Sequence, residues 1–162
     1  MVVLAGGNEG LAWLVQNDGE AYPMNMDMTI GDPANLEDAI AVGSVHKGNP
    51  HSYGVSYFSS RGPTADGRHK PDVVAPGEKI ISAHYDFKVS DPKTWMVEMS
   101  GTSMAAPHVS GLVAGFLAVR REFIGSPDRV KQILLDHCTD IGRDPYMQGK
   151  GIPNMIQMLA ST

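Results

Sequence analysis

Eleven residues, Gly101-Thr102-Ser103-Met104-Ala105-Ala106-Pro107-His108-Val109-Ser110-Gly111, constrain this chain more than any others. They put one hydroxyl where a sharp turn runs into an apolar helix. Gly101 permits the turn, and Pro107 suits a first helical turn whose N–H groups have no intrahelical partner. Leu112, Val113, Phe116 and Leu117 then continue an i, i+3, i+4 stripe. Ala105, Ala106, Ser110, Gly111, Ala114 and Gly115 are small, so the helix is expected to pack closely over most of its circumference. A serine at a helix start, read by itself, is an N-cap. At the same place Ser103 is also a candidate nucleophile, because free N–H donors and the partial positive charge of the helix end would steady an oxyanion forming beside it.

The helix needs a sheet to pack on, and the sequence offers short strands. Met1 to Ala5 is a continuous apolar run stopped by Gly6-Gly7, the pattern of a buried parallel strand whose carboxyl end opens into a loop. Ligands of open α/β sheets bind at that end, where Asn8 lies, although Gly-Gly-Asn is also an ordinary turn. Further strands are expected at Ala39 to Val45, Val55 to Ser59, Asp72 to Gly77 and Lys79 to Ala83. Leu11 to Leu36 has weak periodicity and reads as mostly loop, with a short helix near Leu11 to Val15. Its methionines read as gap-fillers. Asp66-Gly67 is a turn, and Asp66 a turn carboxylate. Ser126-Pro127-Asp128 reads as an N-cap followed by proline, opening an amphipathic helix through Val130, Ile133, Leu134 and His137. A last helix is expected over Met155 to Leu159.

With 162 residues and 42% hydrophobic content the chain can bury one core, so residues 1–162 are read as part of a single domain. A net charge of -5, with its densest basic stretch, Arg61 to Lys70, interrupted by Gly, Pro and Asp, argues against nucleic acid as the partner. One cysteine, Cys138, allows no internal disulfide and reads as a buried structural thiol. No apolar run approaches membrane-spanning length and the start lacks signal-peptide character, so a soluble chain is expected. The compartment stays open.

The eleven-residue string resembles the nucleophile motif of the subtilisin-like serine proteases, and it does not stand alone. Val3-Leu4-Ala5-Gly6-Gly7-Asn8-Glu9-Gly10 resembles the block that supplies the family's side-chain oxyanion donor. Tyr57-Phe58-Ser59-Ser60-Arg61-Gly62-Pro63, Lys70-Pro71-Asp72-Val73-Val74-Ala75-Pro76-Gly77 and Gln148-Gly149-Lys150-Gly151-Ile152-Pro153-Asn154 follow in the family's order. The resemblance spans roughly residues 2 to 157. It implies a mostly parallel α/β sheet flanked by helices, with Ser103 as nucleophile and Asn8 in the oxyanion hole. It also implies substrate contacts at Thr102 and at Ala5, Gly6 and Gly7 as a pocket wall, with Gly31 near Pro33 as the pocket base. Calcium is common in the family, yet Asp32, Glu37 and Asp38 lack ligand spacing, and no metal or other cofactor is assigned. Family members are often secreted.

A serine nucleophile needs a base and an orienting carboxylate, which in this family precede it in the order Asp, His, Ser. Neither block is found. The histidines at 46, 51, 69, 84, 108 and 137 lie in other contexts, and His108 belongs to the nucleophile motif as a structural residue. The chain therefore reads as the carboxyl-terminal half of a catalytic domain, with Met1 an artificial or misassigned start. It is expected to be inactive alone and to take as partners a peptide or protein substrate, the amino-terminal half, and a second copy in a homodimer. The alternatives are a truncated pseudoprotease that binds peptides or proteins without cutting them, and an α/β interaction module with chance matches.

Overall fold

The computed structural model describes residues 1–86, 88 and 90–162. In chain order, β1 (Val3–Ala5) leads into a hairpin of β2 (Leu11–Val15) and β3 (Ala21–Asn25), then β4 (Ile40–His46) and the one-turn helix α1 (Pro50–Tyr53). After β5 (Val73–Glu78) comes a second hairpin, β6 (Ile80–Ala83) and β7 (Met96–Met99), and then the long helix α2 (Thr102–Val119). The chain closes with α3 (Pro127–Asp136), β8 (Cys138–Thr139), α4 (Pro145–Gln148), β9 (Ile152–Pro153) and α5 (Met155–Ser161).

The organising sheet is β1-β4-β5, parallel throughout, with Val3 opposite Ile40 and Val42 opposite Val73. Six of the seven residues of β4 are buried, because both faces of the sheet are covered. Ile40, Val42, Val73 and Ala75 point toward α2 and meet Ala105, Val109, Val113 and Phe116, with Leu134 of α3 and Met158 of α5 closing the cluster. Ala41 on the other face packs with Ile30 and Ala34, and Val45 and Val74 with Ile141. Burying each large side chain of this kind contributes about 1.5–3 kcal/mol relative to leaving it exposed.

Polar groups lock the strand starts. Lys70 Nζ donates to Ala39 O at 3.0 Å and to Asp72 Oδ2 at 2.6 Å, and Asp72 Oδ2 also accepts from Ala41 N at 2.7 Å. A buried cation and a half-buried carboxylate thus compensate each other where β5 joins β4. Both ends of the Arg61 to Lys70 stretch are interior.

Four expectations need correction. Leu11 to Val15 is a strand and not a helix, and with β3 it forms an antiparallel hairpin. The turn Asn17-Asp18-Gly19 closes it, with Gly19 at φ 86° and Asp18 Oδ1 accepting from Glu20 N, while Trp13, Val15 and Tyr22 suit a pleated surface. Val55 to Ser59 forms no strand, only a single bridge between Val55 and Val45. Its polar residues turn inward: Ser59 Oγ accepts from Ser44 N, and Ser56 Oγ bonds Ser44 Oγ. Ser126 stands before α3 but its side chain caps nothing. Pro107 lies in the second turn of α2, so the Ser103 carbonyl has no i+4 N–H to accept.

The packing of α2 is also one-sided. Thr102, Ala105, Val109, Val113 and Phe116 are buried, whereas Ser103, Pro107, Ser110, Gly111, Ala114 and Ala118 are exposed. Among the described residues α2 is the one helix long and apolar enough to cross a membrane, which the sequence reading did not pick out; its buried face packs on β1, β4 and β5.

Candidate active site

Two loops meet at the amino end of α2. The first leaves β1 through Gly6 and Gly7 to Asn8, and the second enters α2 through Gly101, whose N–H donates to Gly77 O at 2.8 Å. Thr102 joins them. Its backbone N–H donates to Asn8 Oδ1 at 2.9 Å, its hydroxyl donates to the same oxygen at 3.1 Å, and Gly7 N–H donates to Thr102 Oγ1 at 3.2 Å. A backbone N–H can only donate, so the atom facing Thr102 is the amide oxygen and Asn8 Nδ2 is left to donate outward. Asn8 is exposed while Thr102 is fully buried. The side chain that presents the donor is therefore held by a fully buried group.

The other side of the Asn8 loop is held by Ser60. Its N–H donates to Gly7 O at 2.9 Å, its hydroxyl donates to Glu9 Oε2 at 2.7 Å and accepts from Glu9 N at 3.1 Å. Gly7, at φ 109°, has no room for a side chain: a Cβ there would lie 2.6 Å from Ser60 Oγ.

Ser103, one residue past Thr102, is exposed and lines a groove of about 450 Å³ with Ile80 to Ala83, Val97, Met99, Met104, Pro107 and His108. The walls are the β6–β7 hairpin and the uncovered face of α2. Being at the second position of the helix, the Ser103 N–H has no intrahelical carbonyl to reach. His108 shares the groove, but its Nδ1 lies 2.8 Å from Met104 O on its own helix, and among the described residues no carboxylate bonds it there. Ala5 and Gly6 lie at the end of β1, with Gly6 N donating to Val42 O. Gly31 is exposed, its carbonyl accepts from Asn35 N, and it does not line the Ser103 groove. Thus Asn8, Gly7, Thr102 and Ser103 are brought together, and Gly31 stands apart from them.

Two residues that sequence reasoning singled out have defined surroundings. Burial pushes the Cys138 thiol up to about 12, and its Sγ donates to Leu134 O at 3.2 Å. Hydrogen bonds from Arg68 and Thr64 lower the Asp66 carboxyl to about 2, as a turn carboxylate in a closed loop would be. Ser60 and its clamp on Glu9 were not foreseen. The Ser59-Ser60 pair beside Arg61 was visible, but nothing in the sequence says that its hydroxyls point inward. Among the described residues no group of three or more His, Cys, Asp or Glu side chains is placed to hold a metal ion.

Comparison with known proteins gives one answer. The sequence family described as the subtilase family, Peptidase S8, matches residues 1–151. Pyrolysin of Pyrococcus furiosus is 35% identical over 94% of this chain, and serine protease AprX of Bacillus subtilis 39% identical over 78%. Among solved structures, the CspB protease of Clostridium perfringens superposes with a TM-score of 0.68 at 29% identity over 89% of the chain. The chain spans only 12%, 30% and 31% of the lengths of these three proteins.

Proposed function

We propose, from the premise that this chain belongs to the subtilase family of serine proteases, that its 162 residues are the carboxyl-terminal portion of one peptidase domain and carry the nucleophile and the oxyanion hole. The observation that carries this reading is the pair of hydrogen bonds that Thr102 donates to Asn8 Oδ1, which leaves Nδ2 as a donor at the helix end where Ser103 stands. Ser103 Oγ adds to the carbonyl carbon of a peptide bond. The carbonyl oxygen becomes an oxyanion received by Asn8 Nδ2 and the Ser103 N–H, helped by the positive end of α2. The Ser103 proton passes to a base and from there to the departing amine, leaving an acyl-enzyme that water hydrolyses. Ala5, Gly6 and Gly7 form a wall for the substrate side chain, Thr102, which has no accessible surface, acts through Asn8 and not by touching substrate, and Gly31, which does not line the Ser103 groove, is given no part in the pocket.

Histidine base and aspartate lie on polypeptide outside these residues, so the chain alone is inactive or nearly so. This assignment of Ser103 and Asn8 follows the roles known for subtilisin. The test is intact mass after exposure to a fluorophosphonate probe, for the chain alone and mixed with the polypeptide encoded upstream of Met1. Labelling only in the mixture, and lost in Ser103→Ala, supports the reading. A folded mixture that stays unlabelled overturns it in favour of a peptide-binding pseudoprotease.

A further inference from the structure

The β2–β3 hairpin begins two residues after Asn8, at Gly10, and returns at Met26, whose N–H donates to Gly10 O at 3.0 Å. The hairpin stands clear of the core: Trp13 is 64% exposed and Val15 65%, and Leu14, Tyr22 and Met24 are exposed as well. Apolar groups lie on both its faces, Trp13 and Val15 on one and Leu14, Tyr22 and Met24 on the other. Such a ribbon gains little from its own fold and is marginal without a third strand.

Its hydrogen-bond phase says where a third strand fits. Gln16 N donates to Glu20 O and Met26 N to Gly10 O, so the even-numbered residues of β2 bond β3. In an antiparallel pair the intervening residues turn their N–H and C=O groups outward. Those are Leu11, Trp13 and Val15, and among the described residues nothing pairs with that edge. The outer edge of β3 is different, because Pro23 stands opposite Trp13 and has no N–H to offer there. One edge is open for strand addition and the other is blunted.

Charge decides among extended partners. All 13 Lys and Arg residues lie at or after Lys47, while the first 46 residues hold Glu9, Asp18, Glu20, Asp27, Asp32, Glu37 and Asp38. Asp18 and Glu20 sit at the hairpin tip. Arg61, a cation at the hairpin base, is buried, and it approaches Asn25 Oδ1 at 3.4 Å and Asp27 at 4.0 Å. A second copy added hairpin to hairpin would set acidic tip beside acidic tip in a parallel pairing, and each tip beside the Glu9 and Asp27 end of the other hairpin in an antiparallel one. We propose that the outer edge of β2 is a docking edge for an extended polypeptide that is basic and apolar, bound as a third strand beside Trp13. The proposal is independent of the catalytic reading.

The test uses this chain, isotopically labelled, with two synthetic peptides, one alternating lysine with valine and one alternating glutamate with valine. The lysine peptide is expected to bind saturably, to shift the backbone amides of Leu11, Trp13 and Val15, and to weaken with salt. Val15→Pro removes an outward N–H without breaking a bond to β3 and is expected to weaken binding about tenfold, the worth of one hydrogen bond. Glu20→Lys, at an exposed site, is expected to weaken it about threefold. The proposal is overturned by no saturable binding, by equal binding of the glutamate peptide, or by indifference to both substitutions in folded variants. It is also overturned if these amides shift with protein concentration alone, which would make a second copy the occupant.

Discussion

Thr102 gives both of its donors, the backbone N–H at 2.9 Å and the hydroxyl at 3.1 Å, to a single acceptor, Asn8 Oδ1. The same hydroxyl takes the Gly7 N–H. The amide of Asn8 is thereby oriented by a residue with no accessible surface.

Thr102→Val keeps the shape and removes the hydroxyl. It strands the Gly7 N–H and loosens Asn8, so the expected loss is about 1–3 kcal/mol of stability in urea unfolding, with Thr102→Ser recovering most of it. In the reconstituted protease, Asn8→Ala is expected to lower kcat by about 10²–10³, the size of loss subtilisin itself shows for its side-chain donor, with little change in KM. A loss carried by KM instead would mean that Asn8 holds substrate and not the oxyanion.

Lys70 and Asp72 are a pair whose value lies in being complete. Lys70→Met leaves the half-buried Asp72 against a lone Ala41 N–H and is expected to cost about 3 kcal/mol, the lower end for an ion pair broken on one side. Lys70→Met with Asp72→Asn is expected to cost less than the single change, because the uncompensated charge is gone. Urea midpoints of wild type and the two variants check the order.

Cys138 gives the chain an alkaline limit. Burial raises its thiol from 9.0 to about 12, so the unfolded chain gives up the proton first. The stability this group lends is whole below about pH 9 and is lost as pH rises toward about 12. Wild type is expected to lose stability faster than Cys138→Ala between those limits, and the folded thiol to resist alkylation at pH 8 that the unfolded chain accepts.

What could be read from the sequence follows from what was buried. β1, β4 and β5 were legible because a strand covered on both faces needs an unbroken apolar run, and α2 because its glycine, small residues and apolar stripe agree. The β2–β3 hairpin was hidden for the opposite reason: with Trp13 and Leu14 both exposed, adjacent residues show no contrast between faces, and only Asn17-Asp18-Gly19 marked the turn. Val55 to Ser59 misled because its serines, Ser56 and Ser59, are buried residues facing Ser44. For the site, Ser103 and Asn8 were legible through motif, whereas the orientation of Asn8 and the Ser60 clamp depend on atoms 94 and 51 residues apart. No local pattern encodes those.

The same one-sided packing predicts that the isolated chain associates. β1 bonds β4 through its even-numbered residues, since Ile40 N donates to Val2 O and Gly6 N to Val42 O, so Val3 and Ala5 turn their backbone groups to an edge unpaired among the described residues. Beside that edge α2 exposes Pro107, Gly111, Ala114 and Ala118, a face flat enough for another backbone to approach. An open strand edge next to an uncovered helix face favours pairing between chains. Sedimentation velocity is expected to show mass rising with concentration, and Val3→Pro, which removes an outward N–H without touching the β4 ladder, is expected to shift the chain toward monomer. Adding the upstream polypeptide is expected to replace self-association with a one-to-one complex, because both compete for the β1 edge. A chain that stays monomeric at every concentration, with its sheet intact by circular dichroism, would show that this edge and face are stable in water as they stand.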